Sequence, residues 1–226
     1  MKGISAYINE KLKIGSSNKK YAYVPECRDD LLNYLREHYE RNADYNNIDV
    51  SHLTDLRGAF GDFMRQPYDS LDVSEWDVSH VTDARYMFLN QKAINPDVSQ
   101  WDTSSMQDIS YMFEGCNKFN QDLNDWDVSE VYGMNGTFMR CASFNGNISK
   151  WNVKNVTNMN GMFFACVNFN QDIGNWDVSN VVSMDSMFGK CLKFDQDLSR
   201  WKIKWIVDLR SVFHDCPIKD EHKCKK

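Results

Sequence analysis

Four aspartates, Asp77, Asp102, Asp127 and Asp177, each follow a tryptophan directly, and the tryptophans themselves recur every 25 residues. Carboxylates in such a column could hold a cation or meet a basic partner. Like charges about 5 Å apart also repel, by up to about 3 kcal/mol per pair at an effective dielectric near 20 before screening. A second chemistry-bearing set is Cys116, Cys141, Cys166, Cys191 and Cys216, again 25 residues apart. Thiols can pair, ligate metal or act as nucleophiles, and each role needs its own geometry.

The cysteine spacing argues against all three. Equivalent positions in stacked units lie about 4.7–5 Å apart, further than the roughly 3.8 Å between disulfide Cβ atoms. No C-x-x-C pair occurs, and no histidine repeats with the cysteines, so a zinc site is not expected. A reduced, buried thiol column is predicted, in which Cys acts as a small hydrophobe. The histidines His38, His52, His80, His214 and His222 show no paired spacing, and no nucleophile elbow or phosphate loop is present. A nucleophilic pair using Cys27 or Cys224 is the weakest reading, so the chain is expected to be non-catalytic and without cofactor. Asp97, Asp122, Asp172 and Asp197 suggest a calcium-dependent assembly as an alternative, without the glycine-bearing loop that calcium sites use.

What must position these columns is the repeat. Trp76, Trp101, Trp126, Trp151, Trp176 and Trp201 are 25 residues apart without insertion, and Phe follows each by twelve residues, from Phe88 to Phe213. Identical chain lengths are what identical stacked units require. An earlier unit places Ile48 at the tryptophan position and reaches Trp76 after 28 residues, which implies a three-residue insertion within Met64 to Ser70. Seven units result, the first irregular and the last incomplete. Leu123-x-x-Trp126-x-Val128 has the apolar spacing of a leucine-rich-repeat strand, with two side chains pointing inward. Val181, Met184, Met187, Phe188 and Cys191 step by three and four, which predicts a 3₁₀ or short α-helical turn opposite. Asn120, Asn145, Asn170 and Asp195 share one position, where an amide ladder is expected to serve buried backbone groups.

The fold class is therefore α/β: a right-handed, leucine-rich-repeat-like solenoid with parallel strands, short convex turns and an N-terminal helical cap. Residues 1–47 form the N-terminal segment and cap, 48–216 the repeats, and 217–226 a polar tail. The cap helix starts near Pro25 and runs through Leu31, Leu32 and Leu35. The net charge of −6 is concentrated in residues 48–200, which makes phosphate-backbone binding unfavourable. No apolar run of 18 residues and no signal-like leader occurs, so membrane insertion and classical export are not expected, and a cytoplasmic or virion-associated location is.

FNQDLNDWDVSEV followed by MNGTFMRCASFNG, and FNQDIGNWDVSNVVSMDSMFGKCLKF, resemble the 25-residue surface-protein repeats of BspA-like and mycoplasma-lipoprotein-type proteins. That resemblance covers residues 48–216 and implies a leucine-rich-repeat-like scaffold that binds proteins. Surface or virion-associated adhesion is the alternative reading.

The partner-binding residues follow from strand alternation, which turns the neighbours of each tryptophan onto the concave surface. Glu75, Asp77, Asp102, Asp125, Asp127 and Asp177 make it acidic at one end, while Lys202, Lys204 and Trp205 give the other end cations and an aromatic anchor. Self-association stays open. So does a second role for the aspartates, which can accept hydrogen bonds from the next turn.

Overall fold

The computed structural model describes residues 21–61, 68–204 and 209–225. The initial segment, most of the expected insertion and Trp205 lie outside that range. Regular secondary structure is sparse: helix α1 (Arg28–Glu37), strands β1 (Asn42–Asp44) and β2 (Ser70–Asp72), the short helix α2 (Leu209–Val212) and a 3₁₀ turn (Asp220–His222). The 25-residue units are built from β-turns, and their backbones join one unit to the next.

The apolar three-residue steps read from the sequence are the corners of these turns. Leu123 accepts from Trp126 N, Val128 from Val131 N, Ile109 from Met112 N, Phe113 from Cys116 N and Cys116 from Phe119 N. Each turn therefore opens and closes on a buried apolar residue. This corrects both local expectations: Trp126-x-Val128, expected as a short strand, pairs with no neighbouring strand and is entered by a Leu123–Trp126 turn, and the opposite side is a run of turns where a 3₁₀ or α-helix was expected. A three-residue spacing fits all of these, so periodicity alone does not separate them.

On the side opposite the tryptophans, here the turn side, units are joined main chain to main chain. Ile109, Tyr111, Phe113 and Gly115 donate in alternation to Gly133, Asn135, Thr137 and Met139 of the next unit. The residues between them close turns within their own unit, so every amide is used. Isolated parallel bridges run Asp55–Asp83–Asp108–Gly133–Asn158–Ser183. The zigzag needs positive φ at two positions per unit. One is filled by Gly58, Tyr86, Tyr111, Gly136, Gly161 and Ser186, and the other by Asn90, Gly115, Arg140, Ala165, Lys190 and Asp215, all between +53° and +73°. A non-glycine residue there costs roughly 1–2 kcal/mol. The inter-unit bonds offset that cost.

On the tryptophan side the joints are chiefly side chains, beside scattered main-chain bonds such as Leu123 N to Asn147 O. Among the described residues only the first two units make a strand pair, with Asn42, Ala43 and Asp44 in parallel register with Ser70, Leu71 and Asp72. In later units the asparagine column takes over this position: the backbone amides of Asn120, Asn145, Asn170 and Asp195 donate to the side chains of Asn95, Asn120, Asn145 and Asn170. The expected amide ladder is present, but on an exposed edge and not in a buried turn.

Between the two sides lies a continuous core. Phe60, Phe88, Phe113, Phe138, Phe163, Phe188 and Phe213 stack at 5.3–5.8 Å, and Phe119, Phe144, Phe169 and Phe194 form a second column at 5.7–5.9 Å. Cys116, Cys141, Cys166 and Cys191 are buried free thiols. Each donates to a phenylalanine carbonyl 28 residues earlier, at 2.7–2.9 Å. Cys216 departs from the expectation of full burial: it is half-buried, because the stack ends beside it. Gln91 holds the thiol position in the second unit, where its amide donates to Phe60 O and accepts from Tyr68 N.

Both ends are closed. Helix α1 buries Leu31, Leu32 and Leu35 against the first unit, and Tyr23 pairs with Ile48 ahead of it. The C-terminal stretch read as a polar tail is a partial unit. Leu198 N donates to His222 O, Lys219 N donates to the Asp195 carboxylate, and Ile218 and Cys224 are buried. Its apolar residues are too few to announce a unit in the sequence.

Candidate functional site

All six tryptophans of the column are buried, at 3–4% exposure. Each indole N–H donates to a carbonyl of the preceding unit: Trp76 to Tyr45, Trp101 to Val73, Trp126 to Val98, Trp151 to Leu123, Trp176 to Ile148 and Trp201 to Ile173. Fixing the indole inward fixes its two neighbours outward. Glu75, Asp77, Asp102, Asp125, Asp127, Asp177 and Lys202 are all exposed, as alternation predicts, although no strand underlies them. Lys204 is partly buried, its ammonium donating to Asn180 O, and Trp205 lies outside the described residues.

The aspartates are also structural. Asp77, Asp102, Asp127 and Asp177 each accept the backbone N–H two residues on, and Asp77 and Asp102 accept that serine's hydroxyl as well. A parallel row does the same: Asp72, Asp97, Asp122, Asp172 and Asp197 close turns onto Ser74, Ser99, Asn124, Gly174 and Ser199. These bonds from Ser104 and Ser179 hold the Asp102 and Asp177 carboxyls below the usual carboxylate range. One oxygen of each carboxylate faces the turn. The charge still faces solvent.

Along this face the charge changes while the backbone does not. The residues flanking the tryptophan are Glu75 and Asp77, then Gln100 and Asp102, Asp125 and Asp127, Lys150 and Asn152, Asn175 and Asp177, and finally Arg200 and Lys202. Lys150 lies 3.8 Å from Asp125, where the sign first reverses. Between the last two units is a notch of about 380 Å³, lined by residues including Gly174, Asn175, Asp177, Ser179, Arg200 and Lys202. Gly174 belongs here because a Cβ would stand 2.4 Å from Asp197 O. The structure thus brings Asp177 and Lys202 to one concavity and leaves Asp77 and Asp102 several units away.

Sequence reasoning missed the column six residues after each tryptophan. Thr82, Gln107, Tyr132, Thr157 and Val182 carry a continuous backbone ladder, each amide donating to the carbonyl of its counterpart one unit before. Tyr132 and Val182 are 51% and 45% exposed, unusual for such side chains. The signal was available: the residue before each is a buried corner, so alternation continues past the turn.

Among the described residues, no group of three His, Cys, Asp or Glu side chains is placed to hold a metal ion, and no helix is long and apolar enough to cross a membrane. No curated protein and no solved structure matches the chain. A family model described as "Mycoplasma protein of unknown function, DUF285" matches twice, over residues 29–143 and over residues 121–223. Two overlapping matches are what a register of interchangeable units produces, and together they take in the cap helix, the tryptophan face and the terminal partial unit, so the chain belongs to this family of mycoplasma-type repeat proteins.

Proposed function

We propose that this chain is a non-catalytic scaffold, a right-handed leucine-rich-repeat-like solenoid of the BspA-like kind, that recognises a protein partner through its tryptophan-flanking face. The reading rests on one observation: the exposed columns turn from acidic at Glu75 and Asp77 to basic at Arg200 and Lys202 over a frame that repeats unchanged. Fold alone does not demand that gradient, since Asn147 and Asn152 close the same turns that aspartates close elsewhere. Opposed charges at two ends of a surface orient a charged partner and raise its rate of encounter. Lys204 extends the basic end, and Trp205 follows it in the sequence.

The test is partner capture from the native source with Asp102→Asn/Asp127→Asn and Lys202→Glu variants. The amide keeps the turn, so the double variant is expected to retain its stability within about 0.5 kcal/mol or gain slightly from relieved repulsion. Partner binding should weaken and lose part of its salt dependence. Binding that survives these changes and Trp205→Ala moves the site to another face.

A further inference from the structure

The turn side carries a concavity of its own, apart from the tryptophan face. Five residues line one concavity at the capped end: Arg28, Arg57, Gly58, Arg85 and Tyr86. Arg57 and Arg85 stand at the same position of successive units and interleave with aspartates. Arg57 meets Asp55 at 2.7 Å and Asp83 at 3.3 Å, and Arg85 meets Asp83 at 2.6 Å and Asp108 at 3.8 Å. Helix α1 adds Arg28, whose Nε donates to Arg57 O. In both repeat arginines the aspartates engage Nε and Nη2. The other terminal nitrogen of each guanidinium makes no hydrogen bond to a described residue.

Above this row runs the positive-φ column. Tyr86 and Tyr111 occupy it in successive units, their rings stacked at 5.1 Å and 1° apart. The Tyr111 ring leans toward the next unit: a Cβ at Gly136 would lie 2.5 Å from Tyr111 Cδ1. In the unit before Tyr86 the same position is Gly58, φ +63°. The tyrosine stack therefore stops one place short among the described residues. With no ring at position 58, a concavity of about 240 Å³ remains, lined by Gly58, Tyr86 and the three arginines.

We infer that this concavity binds a planar aromatic ring carrying an anionic group. The ring would continue the tyrosine stack, where offset or parallel aromatic pairs gain about three- to tenfold in affinity. The anion would accept from the guanidinium nitrogens that the aspartates leave unused, in the forked geometry that arginine offers to phosphate and carboxylate. Both halves are needed, because the aspartates already neutralise most of the arginine charge and a bare anion gains little from the site.

Titration calorimetry of the full chain with phenyl phosphate, 4-hydroxyphenylacetate, inorganic phosphate and phenol tests this. One or both aromatic anions should bind, at least about fivefold more tightly than inorganic phosphate or phenol. The tighter of the two tells whether the natural group is phosphoryl or carboxylate. Gly58→Tyr should abolish binding while circular dichroism stays native, because Tyr86 and Tyr111 adopt the same φ at the equivalent positions. Tyr86→Leu, which keeps all three arginines, should bring the aromatic anions down to the level of inorganic phosphate. Absence of binding, equal binding of ring-bearing and ringless anions, or undiminished binding to a folded Gly58→Tyr variant would each overturn the inference.

Discussion

The two sides of each unit are made of the same turns but are joined to their neighbours in opposite ways. On the turn side, Ile109, Tyr111, Phe113 and Gly115 reach the next unit through main-chain bonds that any residue except proline can supply. On the tryptophan side the joints are chiefly indole N–H groups and asparagine side chains. A backbone joint leaves the side chain free, whereas a side-chain joint dictates the residue. The positive-φ column accordingly tolerates Asn, Gly, Arg, Ala, Lys and Asp, while the tryptophan position holds Trp in six successive units.

The largest effect tests what both sides share, the interior. Burial pushes the Cys116, Cys141, Cys166 and Cys191 thiols well above their ordinary range. Their folded values exceed the unfolded one, so their contribution is intact below about pH 8.5 and is lost as pH rises beyond it, by about 1.4 kcal/mol per thiol per pH unit. Cys216 and Cys224 are raised as well, so urea unfolding under reducing conditions at pH 7.5 and 9.5 should show this loss, and a Cys141→Ala/Cys166→Ala variant should lose about two-thirds as much. Next comes Phe138→Ala. Its ring stacks on Phe113, Phe144 and Phe163, and its removal should cost about 3–5 kcal/mol by the same measurement.

Smaller changes separate the two sides. Trp126→Phe deletes the indole bond to Val98 O and part of the ring, and should destabilise by about 1–3 kcal/mol. Asn145→Ala removes the acceptor for Asn170 N and should cost about 1 kcal/mol despite its exposure. On the turn side, Ala165→Gly at φ +58° should leave thermal stability unchanged or raise it by up to about 1 kcal/mol. If Asn145→Ala proves neutral and Ala165→Gly harmful, the division into side-chain and backbone joints is wrong.

The same division explains what could be read from the sequence. The tryptophan, cysteine, phenylalanine and asparagine columns were legible because each supplies a bond or a packed ring that its neighbours need in an identical place. The outward residues Glu75, Asp77, Asp125 and Lys202 followed from the inward tryptophan, and their exposure was foreseen without the right secondary structure. The turn side was not legible in this way. Its defining feature is a φ angle, and Tyr86, Tyr111 and Ser186 give no compositional sign of one. The terminal partial unit escaped notice because, among the described residues, only Ile218 and Cys224 enter its core.

The bonds spaced 28 residues apart also set how such a chain can fold. Trp126 reaches Val98, Trp151 reaches Leu123 and Cys166 reaches Phe138, so from Trp101 onward each new tryptophan closes a loop of the same length on the unit before it. Closure entropy depends on that length and grows only slowly with it. Lengthening the array therefore adds steps without adding longer searches, and the mean sequence separation of contacts relative to chain length falls as units accumulate. Growth would proceed as a zipper from an end such as the one helix α1 holds in place. A 25-residue cassette gained or lost in register would change the chain's size and leave each closing step as it was.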